Sequence, residues 1–177
     1  MKSALISIQP QWCDLIASGK KTIEVRKSAP KEVPFKAYIY MTATKERCRF
    51  WEYITAYQNN KGDILNGSQK VIGEFICDKV DCYPYGDMSF PIPAYDGDPT
   101  VCECGNGYYI TCGELEKTCL EYKDLENYGK SKTLYGWHIS EPKLYDKPRE
   151  LGEFKNSKNL LIKKPFQSWG YCYEDDN

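Results

Sequence analysis

The eight residues 19–26, GKKTIEVR, constrain the fold of this chain most, because the sequence changes there from helical to strand periodicity. Ile23 and Val25 alternate with Glu24 and Arg26, which is typical of a β-strand. This alternation predicts that the apolar pair faces a core and that the charged pair faces outward. A carboxylate and a guanidinium on one strand face suit the binding of a polar or anionic group, and a solvated charged strand face explains the same pattern equally well.

A short helix is predicted immediately before this stretch. Pro10 suits the first position of a helix. Trp12, Leu15 and Ile16 then fall on one apolar face, and Gly19 is placed to end the helix in a left-handed conformation. The N-terminal part therefore reads as a strand over residues 4–8, one helix and a second strand.

The remainder of the chain is rich in short strand patterns. Residues 71–77, VIGEFIC, are apolar on both faces and predict a central strand. A second helix is predicted over residues 120–128. Further strands are predicted at residues 36–41, 133–140, 143–145 and 170–173. We expect an α+β, mainly β fold, a small closed barrel of about five to seven strands with two or three short flanking helices.

The length of 177 residues favours one domain over residues 1–177. Residues 81–119 lack regular periodicity and are predicted to form an insertion, with a hairpin turn at residues 105–107. The first residues carry no long apolar region, and no segment is long enough to span a membrane, so we expect a cytoplasmic protein without a membrane partner. The net charge of −1 excludes attraction of nucleic acid by the overall charge, although residues 20–36 carry a local excess of lysine and arginine.

Nine cysteines raise the question of a metal site. Cys102, Cys104, Cys112 and Cys119 lie in the predicted insertion, and four thiolates are a common zinc ligand set. The gaps between them are one, seven and six residues, without the paired CxxC spacing of most structural zinc sites. We therefore favour a protein without a cofactor and keep zinc as the alternative.

The spacing of Gly19, Lys21, Glu24 and Arg26 resembles the GxKxxExR signature of the ASCH domain, a branch of the PUA-like superfamily. The preceding strand and short helix match that family as well. Three later segments resemble the subgroup found in phage and prophage proteins, namely residues 71–75, residues 135–139 with 145–148, and residues 165–169.

This resemblance implies a PUA-like barrel of five or six strands with a cleft that carries the motif. It implies a role in binding RNA, or a nucleotide or modified nucleoside, in a regulatory context. Some relatives are enzymes, either hydrolases of acetylated cytidine or ribonucleases. In the hydrolases a threonine nucleophile stands two residues before the arginine, and Glu24 occupies that place here. Binding is therefore favoured over catalysis, and whether the chain is an enzyme stays open.

Candidate site residues follow from the motif and its expected neighbours. As a binding site, the lysines and arginine would meet phosphate or a base edge, and the glutamates would accept hydrogen bonds from exocyclic amines. As an enzyme site, Lys21, Glu24 and Glu74 would be the catalytic residues, with one glutamate as general base. The alternatives are a metal-independent hydrolase or ribonuclease, a phage-type protein interaction module, or a purely structural ion-pair network. The predicted ligand-binding residues are Trp12, Lys20, Lys21, Glu24, Arg26, Glu74, Ser168 and Trp169.

Overall fold

A computed structural model describes residues 3–43, 56–87 and 106–174. The strands in these ranges are β1 (Ser3–Ile8), β2 (Ile23–Arg26), β3 (Phe35–Met41), β4 (Ala56–Gln58), β5 (Ile64–Asn66), β6 (Val71–Cys77), β7 (Val80–Tyr83), β8 (Tyr85–Asp87), β9 (Asn106–Tyr108), β10 (Leu134–His138), β11 (Ser140–Arg149), β12 (Phe154–Asn156) and β13 (Trp169–Glu174). The helices are α1 (Pro10–Ala17), α2 (Cys112–Thr118) and α3 (Tyr122–Gly129), with a 3-10 helix at Leu151–Glu153.

The elements around the motif form as the sequence predicts. Pro10 is the first residue of α1, and Gly19 follows the helix with φ of 72°, a conformation that favours glycine. The apolar stretch 71–77 becomes β6, which lies inside a sheet between β11 and β3. These agreements reflect strong local signals, namely helix termini and strand alternation.

Two sheets position the motif. The larger has the order β11-β6-β3-β1-β13-β12, in which β1 and β3 are parallel and the other neighbouring strands antiparallel. The smaller has the order β2-β10-β7 and contains the motif strand β2. Two short two-stranded sheets, β4-β5 and β8-β9, complete the described pairing.

Three apolar clusters hold these layers together. The first lies between one face of the large sheet, α1 and β10, where the rings of Phe35 and Trp137 meet edge to face at 5.1 Å. The second covers the opposite face of the large sheet around Tyr38 and Phe154. The third joins the far side of the small sheet to α2 and α3 around Val25. Both faces of β2 are therefore covered.

The strand prediction needs two corrections. The described residues contain thirteen strands rather than five to seven, because strands of three or four residues, such as β4, β5 and β9, are too short to show an alternating pattern. In addition, no closed barrel forms among the described residues, since β11 and β12 are the two edges of the large sheet. The broader expectation of a mainly β fold with two or three helices is confirmed.

The predicted insertion contains regular structure in its described parts. Asn106 and Gly107 lie in β9, which pairs with β8, so the predicted hairpin turn at residues 105–107 is wrong. The helix α2 begins with a capping box formed by Thr111 and Glu114. No helix in the described ranges is long and apolar enough to cross a membrane.

Candidate functional site

The charged residues of the motif face the interior rather than solvent. Lys21 is 2% exposed, Glu24 6% and Arg26 8%, so the expectation of an outward-facing charged pair is wrong. Glu24 lies opposite Trp137 in the β2–β10 register, and paired residues of antiparallel strands point to the same side of their sheet. Trp137 packs against the large sheet, so Glu24 and Arg26, which alternate on the same face of β2, also point toward it. We call Lys21, Glu24 and Arg26 the motif cluster.

Lys21 is held by groups from three parts of the chain. Its ammonium donates to the carbonyl of Thr118 at 2.5 Å, lies 3.4 Å from Glu24 Oε2, and sits 5.2 Å from the ring centroid of Trp12. Thr118 is the last residue of α2, where helix carbonyls lack intrahelical partners and attract cations. Lys21 thereby joins the motif strand to the predicted insertion.

Arg26 joins the motif strand to the large sheet. Its Nη2 lies 2.9 Å from Glu24 Oε1 and donates to the carbonyl of Ser7 in β1 at 2.8 Å. Glu24 is therefore a carboxylate placed between two buried cations. Because the three charges sum to +1, the motif cluster favours a ligand that brings negative charge.

Polar atoms in and beside the motif cluster remain without hydrogen-bond partners among the described residues. They are Glu24 Oε2, Arg26 Nε and Gln11 Oε1. Gln11 lies on α1, one turn before Leu15, whose carbonyl accepts from the backbone amide of Lys21 at 3.0 Å. A buried polar group without a partner costs about 1–3 kcal/mol, so the motif cluster offers one acceptor, Glu24 Oε2, and one donor, Arg26 Nε, to an incoming molecule.

Cys13 adjoins the motif cluster but is not poised as a nucleophile. Burial raises the pKa of its thiol well above the ordinary value, and the negative charges of Glu24 and Asp14 add to the rise. The thiol is therefore neutral near pH 7, and only the thiolate is strongly nucleophilic.

Ser168 and Trp169 lie near Arg26, because the backbone of Ser7 forms hydrogen bonds with both Ser168 and Arg26. The Ser7 amide donates to the carbonyl of Ser168 at 2.9 Å. The Trp169 ring meets Trp137 edge to face at 5.3 Å, and its Nε1 donates to Ser28 Oγ at 3.0 Å. The structure thus brings six of the eight predicted ligand-binding residues to the motif cluster or its edge: Trp12, Lys21, Glu24, Arg26, Ser168 and Trp169.

Lys20 and Glu74 lie apart from this arrangement. The Lys20 side chain is exposed, and its carbonyl accepts from Cys119 Sγ at 3.4 Å. Glu74 accepts from the Tyr145 hydroxyl at 2.6 Å and lies 3.3 Å from Lys36 Nζ. It stands opposite Tyr38 in the β3–β6 register, on the other face of the large sheet. A buried carboxylate needs a partner, but a lysine and a tyrosine outside the motif fill that role.

The zinc hypothesis concerns residues that the structure describes only in part. Cys102 and Cys104 lie outside the described residues, while Cys112 begins α2 and Cys119 follows its end. No group of three or more metal-ligating side chains occurs within the described ranges. The four-cysteine site stays an alternative to the favoured protein without a cofactor.

The family model of the ASCH domain matches residues 6–158, which is most of the chain. The chain belongs to the ASCH domain family. The GxKxxExR spacing from Gly19 to Arg26 lies inside the matched region. No curated protein is significantly similar to this ASCH domain protein.

Solved ASCH structures share its fold. The crystal structure of ASCH from Zymomonas mobilis aligns over 96% of this chain and 87% of its own, with 17% identity and a TM-score of 0.53. A tyrosine-to-phenylalanine variant of that protein covers 97% of this chain and 90% of its own, with a TM-score of 0.54 and the same identity. At this identity, the likeness of the ASCH proteins concerns the fold alone.

Sequence reasoning missed several neighbours of the ASCH motif. Ser7, Thr118 and Leu15 contact it through backbone carbonyls, which leave no trace in residue type. Ser28 lies beside it, and its hydroxyl accepts from Trp169 Nε1. Because Ser28 follows the predicted motif strand by two residues, a polar residue just after a strand is the signal that could have pointed to it.

Proposed function

We propose that this ASCH domain protein binds RNA, or a nucleotide or modified nucleoside, at the motif cluster. Membership in a family generally associated with RNA binding supports this role. The observation that carries the proposal is the buried Glu24–Arg26 pair, whose Oε2 and Nε form no hydrogen bond with the described residues, although the Lys21 ammonium lies 3.4 Å from Oε2. Unsatisfied buried polar groups are rare in native proteins and call for an explanation, of which a ligand is one.

The chemistry of these atoms fits a nucleotide. Arg26 Nε can donate to a phosphate or to a base acceptor, while Glu24 Oε2 can accept from an exocyclic amine or a ring N–H. A nucleotide carries all of these groups and the negative charge that suits the net charge of the cluster. Trp12 and Trp169 add aromatic surface next to the same place.

Binding is favoured over the two other functions. Glu24 cannot act as the threonine of the hydrolytic relatives, and Cys13 is held as a neutral thiol. Glu74, the second carboxylate of the catalytic alternative, is bound to Lys36 and Tyr145. An interaction role for the insertion, residues 81–119, has less support because α2 is itself bound to the motif through Thr118.

The test is a charge-free variant that keeps the volume of the cluster. Removing only Lys21 and Arg26 would leave Glu24 buried and unpaired, which destabilises strongly. We therefore choose the triple variant Lys21→Met, Glu24→Gln, Arg26→Met. Its control is Lys70→Met with Glu150→Gln, which removes an exposed ion pair. Fluorescence anisotropy with random-sequence single-stranded RNA and calorimetry with nucleoside monophosphates measure binding.

We expect the wild type and the control to bind, and the triple variant to lose at least about 10-fold in affinity, one charged hydrogen bond being worth about 1.5–3 kcal/mol. Unchanged binding by a triple variant with the circular dichroism and melting temperature of a folded protein would refute the proposal. Mass spectrometry of the same mixtures detects turnover, and turnover lost in the triple variant would favour the hydrolase or ribonuclease alternative.

We also propose several properties that the sequence predicts. The protein has a PUA-like barrel and belongs to the phage and prophage subgroup of the family. It is a single domain with an insertion at residues 81–119, has no cofactor and is located in the cytoplasm. The subgroup assignment is supported by the residues of segments 71–75, 135–139 and 165–169. Elemental analysis of the purified protein tests for zinc.

A further inference from the structure

Strand β13 carries a row of aromatic side chains. Trp169, Tyr171 and Tyr173 alternate along it and therefore point to one face of the sheet, about 6.6 Å apart. Trp169 and Tyr171 are partly exposed, and Tyr173 is 54% exposed. Aromatic rings on a strand are normally buried in the core of the protein. A row of alternating aromatic side chains that becomes more exposed along the strand is therefore an uncommon surface feature. We call these three residues the aromatic row.

The row begins beside the motif cluster. Trp169 contacts the Trp137 ring, and Trp137 lies opposite Glu24 in the β2–β10 register. The residue before Trp169 is joined to Arg26 through Ser7, whose amide donates to the Ser168 carbonyl and whose own carbonyl accepts from Arg26. A chain bound at the motif cluster would therefore meet Trp169 first and Tyr173 last.

The first two rings are held by the loop that follows the motif strand. Trp169 Nε1 donates to Ser28 Oγ at 3.0 Å, and the Lys31 amide donates to the Tyr171 hydroxyl at 3.4 Å. The Trp169 and Tyr171 rings meet edge to face at 5.4 Å and 88°. Ring orientation is thus set in advance, which lowers the entropy cost of stacking a ligand on the row.

Cations flank the row. Lys31 belongs to the same loop and is exposed, whereas the ammonium of the neighbouring Lys27 lies over the Tyr128 ring of α3, 4.7 Å from its centroid. Lys155 lies opposite Tyr173 in the β12–β13 register and so shares its face. The carboxylate next in sequence, Glu174, belongs to the opposite face, where Arg149 binds it. Aromatic rings between lysines form the type of surface that binds single-stranded nucleic acid without strong sequence preference.

We propose that the aromatic row is a stacking path for single-stranded RNA that leaves the motif cluster. This inference rests on the proposed function and narrows it, because a path along β13 is useful only to a ligand longer than one nucleotide. The motif cluster then binds one nucleotide, and Tyr171 and Tyr173 bind its neighbours by stacking.

The test compares ligands of increasing length. Affinities are measured for a nucleoside monophosphate and for random-sequence RNA oligonucleotides of about 4, 8 and 16 nucleotides. The variants are Tyr171→Ala and Tyr173→Ala, each with its phenylalanine counterpart, which keeps the ring and removes the hydroxyl. Ile64→Ala, which shortens an exposed side chain on the separate β4-β5 sheet, is the control.

We expect the wild type to bind oligonucleotides more tightly than the monophosphate. Each alanine variant should lower the ratio of the two affinities by about 5-fold or more, since stacking of one base is worth about 1–3 kcal/mol. Ile64→Ala should keep the ratio, and each phenylalanine variant should lower it less than the alanine variant at the same position, because the ring that stacks is retained. An additional Lys31→Ala exchange should reduce the slope of log affinity against log salt by about 0.7, as for one phosphate contact of a single strand.

Two failures are distinguishable. The stacking path is overturned if affinity does not rise with RNA length, or if the alanine variants keep the wild-type ratio. In either case, monophosphate binding that depends on the motif cluster would still support the proposed function. If the folded wild-type protein binds neither the monophosphate nor any oligonucleotide, both proposals are overturned.

Discussion

Two groups of charged residues lie on opposite sides of the large sheet. The motif cluster is one. The other, which we call the Arg149 cluster, consists of Lys36, Glu74, Tyr145, Arg149, Glu153 and Glu174. Arg149 binds Glu153 at 2.9 Å and Glu174 at 2.7 Å, and its guanidinium lies 4.6 Å from the Phe154 ring centroid.

The two clusters differ in burial and in how fully their polar atoms are paired. The side chains of Glu153 and Glu174 are 45% and 39% exposed, whereas that of Glu24 is 7% exposed. Both carboxylate oxygens of Glu74 have partners, in Lys36 and Tyr145. Only the motif cluster leaves a buried carboxylate oxygen and a buried guanidinium nitrogen without hydrogen bonds among the described residues.

This difference separates a structural network from a candidate site. Partly exposed ion pairs interact with water and contribute little each, so the Arg149 cluster is explained as local stabilisation of β11, the 3-10 helix and β13. A buried and incompletely paired group is costly, and its presence needs a compensating gain. The number of charges is therefore less informative than the number of unused hydrogen-bonding positions.

The sharpest test of the comparison is Glu24→Ala. It leaves Lys21 and Arg26 buried without their shared anion, so we expect the free energy of unfolding to fall by about 3–5 kcal/mol. Glu153→Ala, in the Arg149 cluster, should cost no more than about 1 kcal/mol. Urea denaturation measures both, and equal losses would show that the clusters do not differ as described.

Ligand affinity provides the second test. Glu24→Gln keeps the shape of the side chain and removes its charge, and we expect affinity for single-stranded RNA to fall about 10- to 150-fold, as for a charged hydrogen bond. Glu74→Gln, on the other face of the large sheet, should bind as the wild type does. If Glu74→Gln lowers the affinity for RNA as much as Glu24→Gln does, Glu74 is part of the binding site.

Removing the centre of the second cluster should have a moderate effect. Arg149→Met abolishes two partly exposed ion pairs and the contact of the guanidinium with Phe154, so we expect a loss of about 1–2 kcal/mol in stability. RNA binding should not change. Thermal unfolding and anisotropy of the same preparation measure the two quantities, with Lys70→Met as the control for an exposed ion pair.

The smallest effect concerns pH. Burial alone would raise the pKa values of Glu153 and Glu174, but hydrogen bonds outweigh it and hold both below the ordinary range, those to Glu153 from the Glu150 amide and Arg149, those to Glu174 from Arg149 and Tyr38. Their stabilisation is therefore complete above the ordinary value of about 4.3 and is lost as pH falls through the lowered values. Arg149→Met should flatten the fall of stability between about pH 5 and pH 3. An unchanged acid profile would contradict the role of Arg149.

Much of the framework around the motif could be predicted from single segments. Pro10 and Gly19 mark the helix between β1 and β2, and the apolar run at 71–77 marks a central strand, because these signals depend on neighbours in the chain. The GxKxxExR spacing from Gly19 to Arg26, on which the resemblance to the ASCH domain was based, is likewise a pattern within one segment. The short strands β8 and β9 could not be predicted, since three residues carry too little pattern.

The site itself was predicted less completely. Lys21, Glu24 and Arg26 were correctly singled out as candidate site residues, but their burial was not predicted. The alternation along β2 shows only that its two faces differ in polarity, and does not show that both are covered. Glu74 was grouped with them because a carboxylate in an apolar strand needs a partner, and its actual partners Lys36 and Tyr145 come from other strands.

The sequence by itself determined the longer local elements around the motif and the identity of the motif residues. The tertiary structure decided that both faces of β2 are covered, which cations each glutamate contacts, and that the carbonyl of Thr118 at the end of α2 accepts from Lys21. The physical reason is the range of the interactions: backbone conformation follows from adjacent residues, whereas burial and ion pairing depend on segments that lie far apart in the chain and meet only when the two sheets pack.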